Sequence, residues 1–252
     1  MTKRIGTLRW AQYTGGRLNI TAQMRLLTEV VVAQIRLMLQ RTAPVPAHRS
    51  IDLDAIRIPD SAMAQRSMEL CEEVSVTSLF YHCLRTYFWG AILAQQNDIR
   101  YDEELFFVVA MLHDLGLTEQ YNENDSTSHC YAVEGGRAAA HFVCQHGWDT
   151  QQAEHVNEAI ALHLNIQVPL THGAEAHLVH EGAALDVLGF RFKEIPPTTR
   201  TAILTRYPRS NFKHDITALM HQQVVSRPQS RIAFMHRVAQ FRARIYAAPF
   251  NE

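Results

Sequence analysis

No stretch of this chain approaches the roughly 18 uninterrupted apolar residues of a membrane-spanning helix, so no membrane partner is expected. No signal-peptide pattern opens it, although the residues from Met1 to Thr28 are basic and contain no acid, a bias shared with transit segments. Charge of one sign is missing from the whole: the net charge is −1, which removes the basic footprint of a nucleic-acid partner. Cysteine is scarce. Cys71, Cys83, Cys130 and Cys144 show no CxxC spacing and lie mostly in apolar stretches, so they read as reduced core thiols of a cytoplasmic protein. Repeats and low-complexity segments are absent too, which excludes solenoids and linker-like architectures.

What remains is 252 residues, 47% of them apolar, enough to bury a large core. The apolar periodicity is helical almost throughout, and an all-α fold is expected. Thr21 to Arg41 has the pattern of an amphipathic helix with Thr21 as N-cap, its apolar residues Met24, Leu27, Val31, Ile35 and Met38 recurring at helical spacing. The prolines of Thr42 to Ser50 break it. Further helices are expected over Ser61–Val74, Thr77–Gln96, Asp102–His113, Tyr131–His146, Thr150–Leu164 and Ala174–Leu188, then over Thr198–Arg206, Phe212–Val225 and Gln229–Ala247, with Pro196-Pro197, Pro208 and Pro228 as interruptions. Residues 1–57 would form an N-terminal helical extension covering the core or a neighbouring subunit, and residues 58–252 the main domain.

Residues 105 to 116, LFFVVAMLHDLG, run apolar without a break into His113-Asp114 and are then punctuated by Gly116. A carboxylate at the buried end of such a helix is costly unless a cation or several donors neutralise it. The carbonyls of a helix C-terminus favour a cation there, and Gly116 in the left-handed conformation would turn both neighbours toward one point. A capping Asp beside a hydrogen-bonded core histidine accounts for the dipeptide about equally well. Two other residues join it from apolar surroundings: His82 in SLFYHCLRTYFWGAIL, with Arg85 and Trp89 at helical spacing, and Asp186 in HLVHEGAALDVLGF between Gly182 and Gly189. Two imidazoles and two carboxylates suit one divalent transition metal, Zn foremost, with Fe or Mn as alternatives.

The order of these residues resembles the H…HD…D motif of the HD-domain superfamily of metal-dependent hydrolases. The similarity runs from about Ile58 to Phe192 and is carried by FYHCLRTYFWGA, MLHDLGLTEQY and EGAALDVLG, which look most like the cyanamide hydratase-like branch. It implies an HD-type helical bundle with metal ligands at His82, His113, Asp114 and Asp186. Tyr81 stands where that branch commonly has asparagine. The acid that HD nucleotidases place just after the HD pair is missing until Glu119, and the extra histidines of dinuclear members are incomplete, so one metal is expected.

Three further residues are candidates for chemistry, beside a second role for Asp114. Asp114 would bind with one oxygen and take a proton with the other. Thr118 would hydrogen-bond the attacking water or cap a turn. Glu134, ahead of Gly135-Gly136, would be catalytic or an acid favoured at a helix N-terminus. His163 would orient substrate or share a proton, unless it is a core histidine with one hydrogen bond. Arg85 is the candidate substrate-binding cation. His129, His172, His177, His180 and His221 read as structural or exposed.

Charge is uneven along the chain. Arg137 is the sole Lys or Arg between Asp102 and Asp186, whereas the last third is rich in arginine. Those arginines would pack on the acidic middle or rim a pocket for an anion or a second subunit. The expectation is an enzyme with a small-molecule substrate and a possible homo-oligomer. First comes a metal-dependent hydratase or hydrolase of a small, nitrogen-rich molecule. A phosphohydrolase of a nucleotide or other phosphate ester is the second reading, and a non-catalytic binding protein on an HD scaffold the third.

Overall fold

The computed structural model describes residues 4–40, 51–122 and 130–252, with the backbone alone for 36–40. The proline-containing break over Thr42 to Ser50, the side chain of Met38, and His129 lie outside them. Among the described residues there are twelve α-helices and no strand, so the all-α class stands.

The helices begin and end where local chemistry directs. In the first two, α1 (Leu8–Thr14) and α2 (Ile20–Gln40), the caps are Thr7 and Asn19, whose side chains accept from the amides of Trp10 and Ala22. Thr21 is therefore inside α2 and not its cap. Ser61 caps α3 (Ala62–Val74), which is followed by α4 (Thr77–Gln96). Asp102 caps α5 (Glu103–Leu112), with Glu103 and Glu104 in its first turn where the helix dipole favours them. After α6 (Tyr131–Gln145), a capping box of Asp149 and Gln152 opens α7 (Thr150–His163). Next, α8 (Ala174–Leu188) stops at Gly189, which takes a left-handed φ of 71°. The C-terminal set is α9 (Pro197–Arg206), α10 (Phe212–Ser226), α11 (Arg231–Val238) and α12 (Phe241–Ala247). The single helix expected over Gln229–Ala247 is thus two, because the chain turns at Gln240 with φ 50°.

Glycines set how closely the central helices approach. A Cβ on Gly182 of α8 would stand 2.3 Å from the Thr86 carbonyl oxygen of α4, and one on Gly90 of α4 would stand 2.8 Å from the Leu178 carbonyl oxygen of α8. Those two helices therefore cross backbone to backbone. Gly116 plays the same part toward α6, where a Cβ would meet the Tyr131 carbonyl oxygen at 2.1 Å. It does not take the left-handed conformation expected of it. It sits in a 3-10 turn over Leu115–Leu117 and serves close packing instead of chain reversal.

Two apolar cores result. One is built around Trp89, Phe106, Phe107 and their neighbours on α3, α4, α5 and α8. The other joins Ile5, Trp10 and Leu26 of the N-terminal segment to Tyr131, Phe212 and Ile232. The stripe expected to bury α2 is not the one that packs: Leu26 and Val30 face inward, while Met24, Leu27, Val31 and Ile35 are exposed. The helix is apolar on more than one face, so periodicity alone does not single out the face that docks. Among the described residues no helix is long and apolar enough to cross a membrane.

Candidate metal centre

Two helices bring the central residues together. His82 lies in the second turn of α4, while His113 caps the C-terminus of α5 and Asp114 follows it. All three are buried. His113 Nε2 stands 3.2 Å from His82 Nε2, and Asp114 Oδ2 is 3.4 Å from the first and 3.5 Å from the second. Two ligand atoms each about 2.1 Å from one ion are separated by roughly 3.0 Å across an octahedral edge and 3.4 Å across a tetrahedral one. The three atoms thus have the spacing of one face of a coordination polyhedron, and the group is able to hold a metal ion.

The tautomers point the same way. His82 Nδ1 lies 2.8 Å from Asp186 Oδ2 and His113 Nδ1 lies 2.7 Å from the Ala110 carbonyl oxygen. Neither partner has a proton to give, so each ring donates from Nδ1 and turns the lone pair of Nε2 inward. Burial keeps the His113 imidazole below its usual pKa, hence neutral. Two lone pairs and a carboxylate oxygen then converge on one point, an arrangement that a cation stabilises.

His163, at the end of α7, closes the group from a third side. Its Nε2 is 3.6 Å from Asp114 Oδ1 and 3.5 Å from the Tyr131 hydroxyl, while its Nδ1 donates to the Ile160 carbonyl at 2.6 Å. Burial, and then His113 beside it, press the imidazole down to about 3. Burial likewise raises the Tyr131 phenol well above the usual tyrosine range, keeping it a proton donor.

Asp186 is not in that group. Its carboxylate receives Arg85 Nε and Nη2 at 2.8 and 2.9 Å, Trp89 Nε1 at 2.9 Å and Arg209 Nη1 at 3.3 Å, besides the bond from His82. Burial by itself would raise this carboxyl, but Arg85 and Arg209, with the hydrogen bonds of His82 and Arg85, hold it well below the usual carboxylate range. Where a fourth ligand is expected, the structure has a carboxylate that accepts from His82 Nδ1 and so orients that imidazole. Arg85 is displaced from its expected role with it. Fully buried, it spends Nε and Nη2 on Asp186 and Nη1 on the carbonyls of Tyr207 and Pro208, and it does not line the cavity in front of the centre.

Thr118 and Glu134 do not line that cavity either. The Thr118 hydroxyl donates to the Leu115 carbonyl at 2.7 Å and closes the 3-10 turn, as a turn cap does. Glu134, in the first turn of α6, is ion-paired with Arg227. His180 is the reverse case. Set aside as structural, it is buried and lines the cavity, its Nδ1 bonded to the His163 carbonyl. Tyr131 lines it as well, with no motif to announce it. Of the cysteines, Cys71, Cys83 and Cys130 are buried and Cys144 is exposed.

Three arginines of the C-terminal part neutralise acids within the fold. Arg209 serves Asp186, Arg227 serves Glu134, and Arg191 bridges Glu181 and Glu194. Arg244 is the one Lys or Arg among the residues lining the cavity. Set against known proteins, the chain matches no protein-family model and no curated protein.

Proposed function

We propose that this chain is a metal-dependent hydratase or hydrolase acting on a small molecule that carries no phosphate, built on an HD-type scaffold. The observation that carries the reading is the convergence of His82 Nε2, His113 Nε2 and Asp114 Oδ2 at the end of an apolar cavity. A divalent ion bound there, Zn foremost, would supply a Lewis acid and bring the pKa of water toward neutrality.

The protein's own groups do the rest. Asp186 and the Ala110 carbonyl hold the two imidazoles in the ligating tautomer. The second oxygen of Asp114 faces His163 Nε2 at 3.6 Å and takes the proton that leaves the attacking water, while His163, kept neutral by burial, borders it as a hydrogen-bonding partner. The Tyr131 hydroxyl beside that nitrogen orients it. For a carbon–nitrogen multiple bond the balance is simple: the water oxygen bonds to carbon and both of its protons end on nitrogen.

A phosphoryl group would need several cations at its oxygens. Arg85 and Arg209 are committed to Asp186, and Arg227 is paired with Glu134, which leaves Arg244 at the cavity wall. Metal-replete protein should therefore turn over nitrile- or cyanamide-type substrates in preference to nucleoside monophosphates. His113→Ala and Asp114→Asn should abolish both turnover and bound metal while the helical circular-dichroism signal persists. Undiminished metal in both variants, or efficient metal-dependent phosphate release from nucleotides, would overturn the reading.

A further inference from the structure

The cavity at the metal centre has two unlike ends. One is polar, formed by His82, His113, Asp114 and His163. The remainder is mostly hydrocarbon, brought in by helices outside the HD-like motif blocks as well as by α8: Val30 and Ala33 of α2, Met220 of α10, Phe241 of α12, with Ala183 and Val187 of α8. Its volume is about 130 Å³. Arg244, the one cation in its wall, already gives its Nε to the Ala239 carbonyl at 2.7 Å.

An apolar cavity of roughly 150 Å³ stays dry and admits benzene. In such a space each hydroxyl or amide without a partner costs about 1–3 kcal/mol, so a molecule bristling with polar groups is rejected. Of the other polar side chains in the wall, Asn165 bonds Arg231 and the Ile5 carbonyl, His180 the His163 carbonyl and Arg244 the Ala239 carbonyl, so the group that converges on the cavity is His82, His113 and Asp114 with His163. A ligand that satisfies both ends has an apolar body and a single polar head.

We propose that the substrate is a neutral molecule with a body the size of one ring, or an equally compact alkyl group, bearing one small reactive group such as a nitrile or amide turned toward His82, His113 and Asp114. Body selection then belongs to the N-terminal helix α2 and the C-terminal helices, and chemistry to α4 and α5. Ala33 and Ala183 fix the size limit, because a larger side chain at either position fills the space of the ring. This inference rests on the metal-dependent reading of the same site, and it adds to it the shape and charge of the molecule.

Ligand-observed NMR on the full-length protein, with and without zinc, tests it using benzonitrile as the neutral ring and benzoate as its anionic counterpart. Benzonitrile should bind with a Kd below about 1 mM, and benzoate about tenfold more weakly or worse. Ala33→Phe and Ala183→Leu should each weaken benzonitrile by about tenfold or more. The half-exposed position of Ala33 lets that variant fold, and thermal melting of both identifies any that does not. Absence of benzonitrile binding, or equal binding by wild type and both folded variants, overturns the proposal. The two readings fail separately. Ring binding without metal-dependent turnover of any substrate sinks the enzymatic reading alone, whereas turnover of cyanamide without ring binding sinks this one.

Discussion

Five donor atoms meet the carboxylate of Asp186: His82 Nδ1, Arg85 Nε and Nη2, Trp89 Nε1 and Arg209 Nη1. Such a carboxylate is worth more as an organiser than as a ligand. Its charge holds two buried guanidinium groups, and its geometry fixes the ring that presents a lone pair to the centre. Asp186→Asn removes the charge and leaves Arg85 and Arg209 buried without it, which should cost about 3–5 kcal/mol in denaturant unfolding. Metal affinity of the variant that still folds should fall roughly 10–100-fold, the effect of losing an outer-sphere partner of a ligating histidine. A direct ligand would behave differently: its loss would empty the site. Metal titration of Asp186→Asn beside Asp114→Asn separates the two cases.

At the scale of helices, the site depends on contacts that no side chain makes. The crossing of α4 and α8 is set by Gly90 and Gly182, and it is this approach that lets Asp186 reach His82. Gly182→Ala drives a methyl into the Thr86 carbonyl and should destabilise the fold by about 1–3 kcal/mol, the ordinary cost of overpacking. It should also weaken metal binding, because the backbone shift moves the carboxylate away from the ring. Gly147, with nothing within 4 Å of an added Cβ and a φ of 99°, is the control. Alanine there strains the backbone without touching the site, so its variant should lose stability and keep metal affinity. Equal metal affinity in Gly182→Ala and wild type would show that the helix crossing does not tune the centre.

For the molecule as a whole, the N-terminal segment is part of the second core and of the cavity wall. Ile5, Trp10, Leu18, Leu26 and Val30 are buried, and each large apolar side chain so covered contributes about 1.5–3 kcal/mol relative to exposure. Removing residues 1–40 should therefore lower the melting temperature by several degrees or more and open the cavity from the α2 side. A truncated protein with the melting temperature of the full chain would show that this segment contributes nothing to the fold.

Helix content was legible from the sequence because it depends on local signals. The 3.6-residue apolar period and the prolines placed α3 to α10 within a residue or two of their observed ends. The pairing of His113 with Asp114 was legible for the same reason, since an apolar run ending in two polar groups is a local anomaly. Which groups share the centre is a different kind of fact. Whether Asp186 faces a metal or two arginines depends on how α4, α8 and the loop carrying Arg209 meet in space, and the same short string of residues permits either. Whether Leu26 or Leu27 faces inward on α2 depends on the surface it docks against. His180 and Tyr131 join the cavity only through the packing of α6, α7 and α8. Composition, helical period and the histidine–aspartate motif were thus determined by the sequence itself. The tertiary structure alone decided which polar groups meet Asp186 and which residues form cavity wall or surface, because burial and charge pairing are made between segments far apart along the chain.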